Sequence, residues 1–579
     1  MPGRRCADRP EERPFSGDPA HGRASGPATR LGRVNSPKSD AYGGTGLQAA
    51  PDRPPVLSAG GMAVASHPAV SFAGARVLAE GGNAVDAALA MAAVSWIALP
   101  GQCGVGGDAF AVVREPGGRV WTVSGSGYGP DGGDPGFYRG RGLSAVPLTG
   151  PLSVAVPGAV GALAALHAAG GSRELPALWA PAARAAETGL PSTAKTRADV
   201  LGHQAALRRD EGAARALLPG GRAPAVGERL PQPELAATIR RLAEDPAAFH
   251  TGWFAERAVA ALREAGAPFD GAEWELSGRI AARPALRGRY RGHTVHQTPP
   301  PTPGWMVLQQ AAVCDGLLDG LPRLGAEAVH LLASAARLAF ADRVERCGSD
   351  TEAWRETLTP AAVARARERI AADAVPAGLA GPADGDTTSA VAVDAEGRAV
   401  SLIHSLAFTF GSATTVPGTG VILNNRLGRG SYLIPGHPNE VRPRRRPLHT
   451  LNAWIATDPA GRLAHVGNTP GGDGQVQWNT QLLSHLLDHG ADPQSAVDAP
   501  RFTVHPGSDA DVLGQPEELR CESRLGAEAL DGLRARGHRV RVTGPWEGGG
   551  SALVVSADHE RGCLSGGADS RQEGVALGG

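Results

Sequence analysis

A loose segment of small residues runs straight into the signature of a core β-hairpin, and this junction restricts the fold more than any other feature of the chain. Residues 372–386 read ADAVPAGLAGPADGD and carry no periodic apolar face. Directly behind them come TTSAVAVD, Thr387 to Asp394, and, after Ala395 and an EGR turn, AVSLIHS, Ala399 to Ser405. Alternation and β-branching predict two antiparallel strands. A linker that feeds a core hairpin makes sense if the chain is cut there, leaving Thr387 as a new N-terminus. β-Propensity alone would also place Thr387 and Thr388 on a half-buried strand. The chemical alternative is nucleophilic: a free α-amine, with a reference pKa of about 7.7–8.0, can take the hydroxyl proton of its own residue.

The surrounding pattern is mixed. Asn83 is placed to cap a helix with Asp86 in its first turn, followed by the apolar run AALAMAAVSWIAL, Ala87 to Leu99. That run is too short to span a bilayer and reads as a helix buried on most sides. Helices are predicted at Val160–Ala168, Leu175–Thr188, Pro233–Ala247, Trp253–Ala265, Ala328–Arg343 and Val476–His489. Strands are predicted at Phe110–Val113, VILNN and SALVVSA. Hairpins mixed with helices point to a layered α+β body rather than a doubly wound sheet. The folded region is expected from about Gly60. The Arg-, Pro- and Gly-rich residues 1–55 have no apolar core of a secretion signal and are expected to be a disordered extension.

Charge narrows the function classes. The 579 residues hold 57 Lys and Arg against 58 Asp and Glu, so no basic field favours nucleic acid or an anionic membrane. The basic run RPRRRP, Arg442 to Pro447, reads as a local cluster between turns. Six scattered cysteines and histidines in unrelated contexts give no metal spacing, so neither a metal nor a cofactor is expected. A reduced, cytoplasmic setting follows as the plainer expectation. GVGGDAF, Gly104 to Phe110, lacks the Lys-Ser/Thr of a phosphate loop and is either a structural turn or an active-site wall. The Pro-rich TPPPTPG, Thr298 to Gly304, is expected to stiffen a surface crossing.

Taken in order, ASHPAVSFAGARVLAEGGNAVDAALA (Ala65–Ala90), VGGDAF, VPGAV (Val156–Val160), HLLASAARLAFADR (His330–Arg343), DTTSAVAVD, GVILNN ending at Asn425, RPLHTLNAWI (Arg446–Ile455), TPGGDG (Thr469–Gly474) and AVDAPRF (Ala496–Phe502) resemble the γ-glutamyltransferase family of self-cleaving N-terminal nucleophile hydrolases. The resemblance implies a four-layer αββα sandwich with additional helices in the large fragment. It implies cleavage between Asp386 and Thr387 into a large fragment, 56–386 behind the extension, and a small one, 387–579, which stay together. A homo-oligomer is left open. By the resemblance, Thr387 is the nucleophile and Ser405 stands at the threonine that positions it. Gly471 and Gly472 match the oxyanion-hole pair, although Pro470-Gly471-Gly472 is also a tight-turn sequence. His449 and Thr450 occupy the serine pair of the substrate wall.

The departures fall on substrate recognition. Where the family holds the donor's α-amine with an Asn and an acidic residue, this chain has Ala407 and Arg429. Where the family commonly has an Arg for the α-carboxylate, SGSGYGP supplies Tyr128 or Ser126. Arg426 and Arg429, following Asn425, would repel an ammonium and favour an anionic acyl group if they face the pocket; solvent-facing positions on a loop are the alternative. The expected function is therefore amide hydrolysis through an acyl-threonine ester, with a small-molecule dicarboxylic monoamide as donor. A true γ-glutamyl hydrolase or transferase acting on glutathione or γ-glutamyl amides is the runner-up. A weakly active scaffold is the third reading.

Overall fold

The computed structural model describes residues 53–371, 387–509 and 512–579. Two seven-stranded antiparallel sheets form its centre. The strands that carry the site are β1 (Asp108–Arg114), β2 (Val120–Gly125), β3 (Thr388–Val393), β4 (Ala399–Ser405), β5 (Ala453–Thr457) and β6 (Leu463–Asn468). One sheet runs Val575–Gly578, Met62–Ala65, β3, β4, β1, β2, Arg283–Pro284. The other runs Val56–Ser58, Cys563–Ala568, Leu553–Asp558, β6, β5, His293–Gln297, Leu286–Tyr290. Phe110, Val112, Ile403, Ile455 and Val466 fill the space between the sheets. Residues of opposite parity on the same strands, such as Ala111, Leu402 and Trp454, face the helices.

Helix α1 (Pro68–Ala79) and helix α2 (Ala84–Ala98) cover the first sheet. All residues of α2 are buried, and Asn83 and Asp86 form a reciprocal capping box that satisfies backbone donors at its start. Substituting such a cap residue typically costs about 1 kcal/mol. Helices Gly304–Cys314, Ala326–Glu345 and Gly474–Leu487 cover the second sheet. The result is the αββα sandwich implied by the resemblance, with further helices between residues 159 and 277.

Three expectations need correction. The sheet begins at Val56 rather than near Gly60, because Val56–Ser58 pairs with Leu564–Gly566 and three residues are too few to show a period. The Pro-rich run is not a surface crossing: Pro301 to Gly304 are buried, Thr302 Oγ1 lies 2.7 Å from Thr298 Oγ1, and the Pro301 carbonyl accepts from the His449 N–H at 3.2 Å. VILNN forms only a two-residue strand, Val421–Ile422, after which Asn424 and Asn425 turn the chain. The cleavage junction's Asp386, like the 1–52 part of the extension, lies outside the described residues.

Candidate active site

The hairpin expected from the sequence is β3 paired with β4, with Thr388 opposite His404. Thr387, immediately before β3, therefore stands beside Ser405 at the end of β4, and its Oγ1 lies 3.1 Å from Ser405 Oγ. Both residues are buried. The β1–β4 register continues the row, because Asp108 is the direct partner of Ser405. Directly opposed residues share a face, so Thr387, Ser405 and Asp108 line up across three strands on the side toward the second sheet. His404 alternates to the helix side and does not line the site beside Ser405. Neither of its ring nitrogens has a partner among the described residues, and burial pushes its pKa down to about 3.

Asp108 is the organising carboxylate, and the sequence reading passed over it. Its Oδ2 accepts from Arg426 Nε and from His449 Nε2, both at 3.1 Å, while its Oδ1 is buried without a partner among the described residues. The His449 ring packs edge-on to Phe110 with centroids 4.6 Å apart. Burial, then Arg426, pushes the His449 pKa down to about 3, so the ring is neutral. A neutral ring that donates from Nε2 to a carboxylate keeps a bare acceptor at Nδ1, which has no partner among the described residues. Thr450 Oγ1 is likewise buried, with no partner among the described residues.

Arg426 and Arg429 lie on a five-residue helix, α3 (Arg426–Gly430), and are buried rather than solvent-facing. Arg426 uses Nε on Asp108, and its Nη1 and Nη2 are buried without partners among the described residues. Burial lowers its pKa to about 10, with Asp108 opposing, so it stays charged at neutral pH. Arg429 makes a bidentate pair with Asp509, Nε to Oδ1 at 2.9 Å and Nη2 to Oδ2 at 2.8 Å, and donates from Nη1 to the Ala407 carbonyl at 2.9 Å. Each arginine is thus balanced by a carboxylate. The repulsion of an ammonium expected from their net charge is removed, and what Arg426 retains is its free fork.

The remaining sequence-derived residues divide. Gly471 (φ 121°) and Gly472 (φ 55°) form the turn between β6 and helix Gly474–Leu487, and a Cβ on Gly471 would sit 2.2 Å from the Trp478 ring. Among the described residues neither glycine's N–H meets a protein acceptor. The β5–β6 register pairs Ala453, three residues after Thr450, with Asn468, three residues before Gly471. Asn425 is a brace: Nδ2 donates to Leu148 O at 2.7 Å and Oδ1 accepts from the Phe408 N–H at 3.0 Å. Tyr128 is half-buried beneath Arg446, 4.6 Å from guanidinium carbon to ring centroid. No hydrogen bond or ion pair among the described residues ties Tyr128 to Thr387, Ser405 or Asp108. Ser126 follows the last β1–β2 pair, Ala109 with Gly125, and its backbone bridges to Pro157.

Asp473 joins the wall, accepting from the Ser508 N–H at 2.6 Å and hydroxyl at 2.8 Å and lying 3.6 Å from Arg343. Asp108 was the findable omission: a carboxylate at the head of the apolar run AFAVV must meet a cation or a ligand. Its partner Arg426 lies far along the chain, and no local signal links them. Among the described residues no cluster of three or more metal-ligating side chains occurs. No described helix is long and apolar enough to cross a membrane.

The family model described as Gamma-glutamyltranspeptidase matches residues 70–579. The chain is 32% identical over 529 residues to the glutathione hydrolase-like YwrD proenzyme of Bacillus subtilis, spanning 89% of this chain and 98% of that protein. It is 32% identical over 539 residues to the oxamate amidohydrolase proenzyme of Klebsiella pneumoniae, spanning 90% and 99%. The solved cephalosporin acylase from Bacillus halodurans is similar with a TM-score of 0.83 at 27% identity, covering 92% of this chain and 99% of that one.

Proposed function

The chain belongs to the gamma-glutamyltranspeptidase family of N-terminal nucleophile hydrolases, and from that premise we propose that it cleaves itself before Thr387 and then hydrolyses an acyl amide through an ester on that residue. The observation that carries the reading is the 3.1 Å approach of Thr387 Oγ1 to Ser405 Oγ in a buried row that ends at Asp108. In the cleaved enzyme the Thr387 amine takes the hydroxyl proton as the oxygen attacks the amide carbonyl. The oxyanion is met by the N–H groups of Gly471 and Gly472, each such donor being worth about 2.7–4 kcal/mol in a dry site. Collapse expels the amine, which leaves with the proton from the Thr387 ammonium. Water then resolves the ester by the reverse proton transfers. The relatives' proenzyme names support the processing step.

For the donor, the free fork of Arg426 favours an acyl group that carries a carboxylate. Ala407 offers only a methyl, and Arg429 is held by Asp509 and the Ala407 carbonyl, so neither supplies an acceptor for an α-ammonium. A dicarboxylic monoamide is the reading that fits best. The oxamate amidohydrolase relative supports it, since its name denotes the amide of a simple diacid. The γ-glutamyl alternative keeps one observation of its own: Asp108 Oδ1, without a partner among the described residues and beside the same fork, could receive an ammonium. A matched pair, glutaryl-p-nitroanilide and γ-glutamyl-p-nitroanilide, tests the choice. The first is expected to have the higher kcat/KM; equal or greater efficiency on the second overturns the anionic-acyl reading.

A further inference from the structure

Arg429 occupies a position where direct donor contact was the natural expectation, yet its guanidinium is gripped from within the protein. Two nitrogens grip Asp509, the third donates to the Ala407 carbonyl, and the guanidinium lies 4.2 Å from the Phe408 ring centroid. Ala407 is fully buried with φ +88°, a left-handed value that an alanine adopts only under constraint. Its N–H donates to Ser405 Oγ at 2.8 Å, and Ser405 Oγ is the atom 3.1 Å from Thr387 Oγ1. On either side, the Leu406 N–H is held by Gln102 O at 3.1 Å and the Phe408 N–H by Asn425 Oδ1 at 3.0 Å.

We infer that Arg429 is a positioning residue: with Asp509 it holds the Ala407 peptide in its left-handed conformation, and that peptide fixes the Ser405 hydroxyl against the nucleophile Thr387. The inference rests on the assignment of Thr387 as the nucleophile. A hydroxyl has one donor and two acceptor sites. Ser405 Oγ accepts from the Ala407 N–H at 2.8 Å and lies 3.1 Å from Thr387 Oγ1, so the placement of that N–H helps set where the hydroxyl oxygen stands against Thr387. The Ala407 carbonyl and N–H are the two handles that determine φ and ψ of that residue, and Arg429 holds one of them. Releasing it lets the strained alanine relax and Ser405 turn. The same clamp serves both reactions of Thr387, because self-cleavage and turnover use the same hydroxyl.

The test is Arg429→Lys and Arg429→Gln, assayed as folded protein for self-cleavage and for turnover of the two p-nitroanilides. A clamp that acts through Ser405 lowers kcat by about tenfold to a hundredfold, as small misplacements of reacting groups do. KM stays nearly constant, the preference between glutaryl and γ-glutamyl donors is unchanged, and self-cleavage slows in parallel. Adding Ala407→Gly to Arg429→Gln recovers part of kcat, since glycine takes φ +88° without strain. If the Arg429 variants fail to fold, Asp509→Asn, which leaves Arg429 in place, is expected to give a smaller loss of the same kind. A shift of donor preference toward γ-glutamyl with kcat retained overturns the inference and makes Arg429 a donor contact. Unchanged kcat with only a lower Tm overturns it in favour of a purely structural pair. A wild type that neither cleaves nor turns over removes the nucleophile assignment itself, whereas a wild type that cleaves but ignores both donors leaves the cleavage rate as the readout.

Discussion

Asp108 and Ser405 are directly opposed across the β1–β4 pair, which sets a buried carboxylate one strand away from the hydroxyl that touches Thr387. The same carboxylate holds Arg426 and His449. One acidic residue thus ties the row of Thr387 and Ser405 to the charged and aromatic side chains of Arg426 and His449.

Processing is expected to yield fragments 1–386 and 387–579, the smaller beginning at Thr387. Thr387→Ala should remain a single chain. Ser405→Ala should slow both cleavage and turnover, while Ser405→Thr, which keeps the hydroxyl, should retain much of each. A denaturing gel with mass analysis of the new N-terminus reads the result, and a wild-type chain that stays intact at neutral pH counts against the proposed chemistry.

Arg426→Met should leave Asp108 as a buried uncompensated charge and destabilise the fold by about 3–5 kcal/mol. Adding Asp108→Asn should restore most of that loss in urea denaturation. Arg426→Lys, which keeps charge but not the fork, should raise KM for the glutaryl donor several-fold and leave an uncharged butyryl amide nearly unaffected. Equal effects on both amides would remove Arg426 from the carboxylate site.

Gly471→Ala demands both a left-handed alanine and a methyl 2.2 Å from the Trp478 ring. The turn must shift and carry its N–H with it. A fall in kcat of about 10²–10³ is expected, the size seen when one oxyanion donor is lost, with a smaller change in KM. Retained kcat in steady-state assays would place the oxyanion elsewhere.

Acid should destabilise this protein before its carboxylates titrate. Burial depresses His404 and His449 to about 3 and His250 and His465 to about 4, against an ordinary value near 6.5. The unfolded chain therefore binds protons that the folded one refuses, and stability falls as pH drops from about 6.5 toward those values. His404→Leu removes one such group away from the site. It should flatten the dependence of unfolding free energy by about 1.4 kcal/mol per pH unit between pH 6 and 4. Urea titrations at pH 7, 6, 5 and 4 measure this, and an unchanged slope would mean that His404 is protonated in the fold.

Local pattern in the chain was enough to determine the hairpin, the capped helix α2 and a layered α+β body, because alternation, helical spacing and capping residues report on neighbours within a few positions, while the αββα sandwich came from the family resemblance of the ordered motifs. Local pattern also ordered the motifs around Thr387, Ser405, Gly471 and Gly472. The same reasoning left Arg426 and Arg429 as charges of unknown partner, and only tertiary structure supplied Asp108 and Asp509, which are 318 and 80 residues away in sequence. It also decided that Asn425 braces a loop, that the Pro-rich run is buried and that His404 turns its back on Ser405. Periodicity says which residues are inside; what a buried charge meets there depends on which distant strands the sheets bring into register.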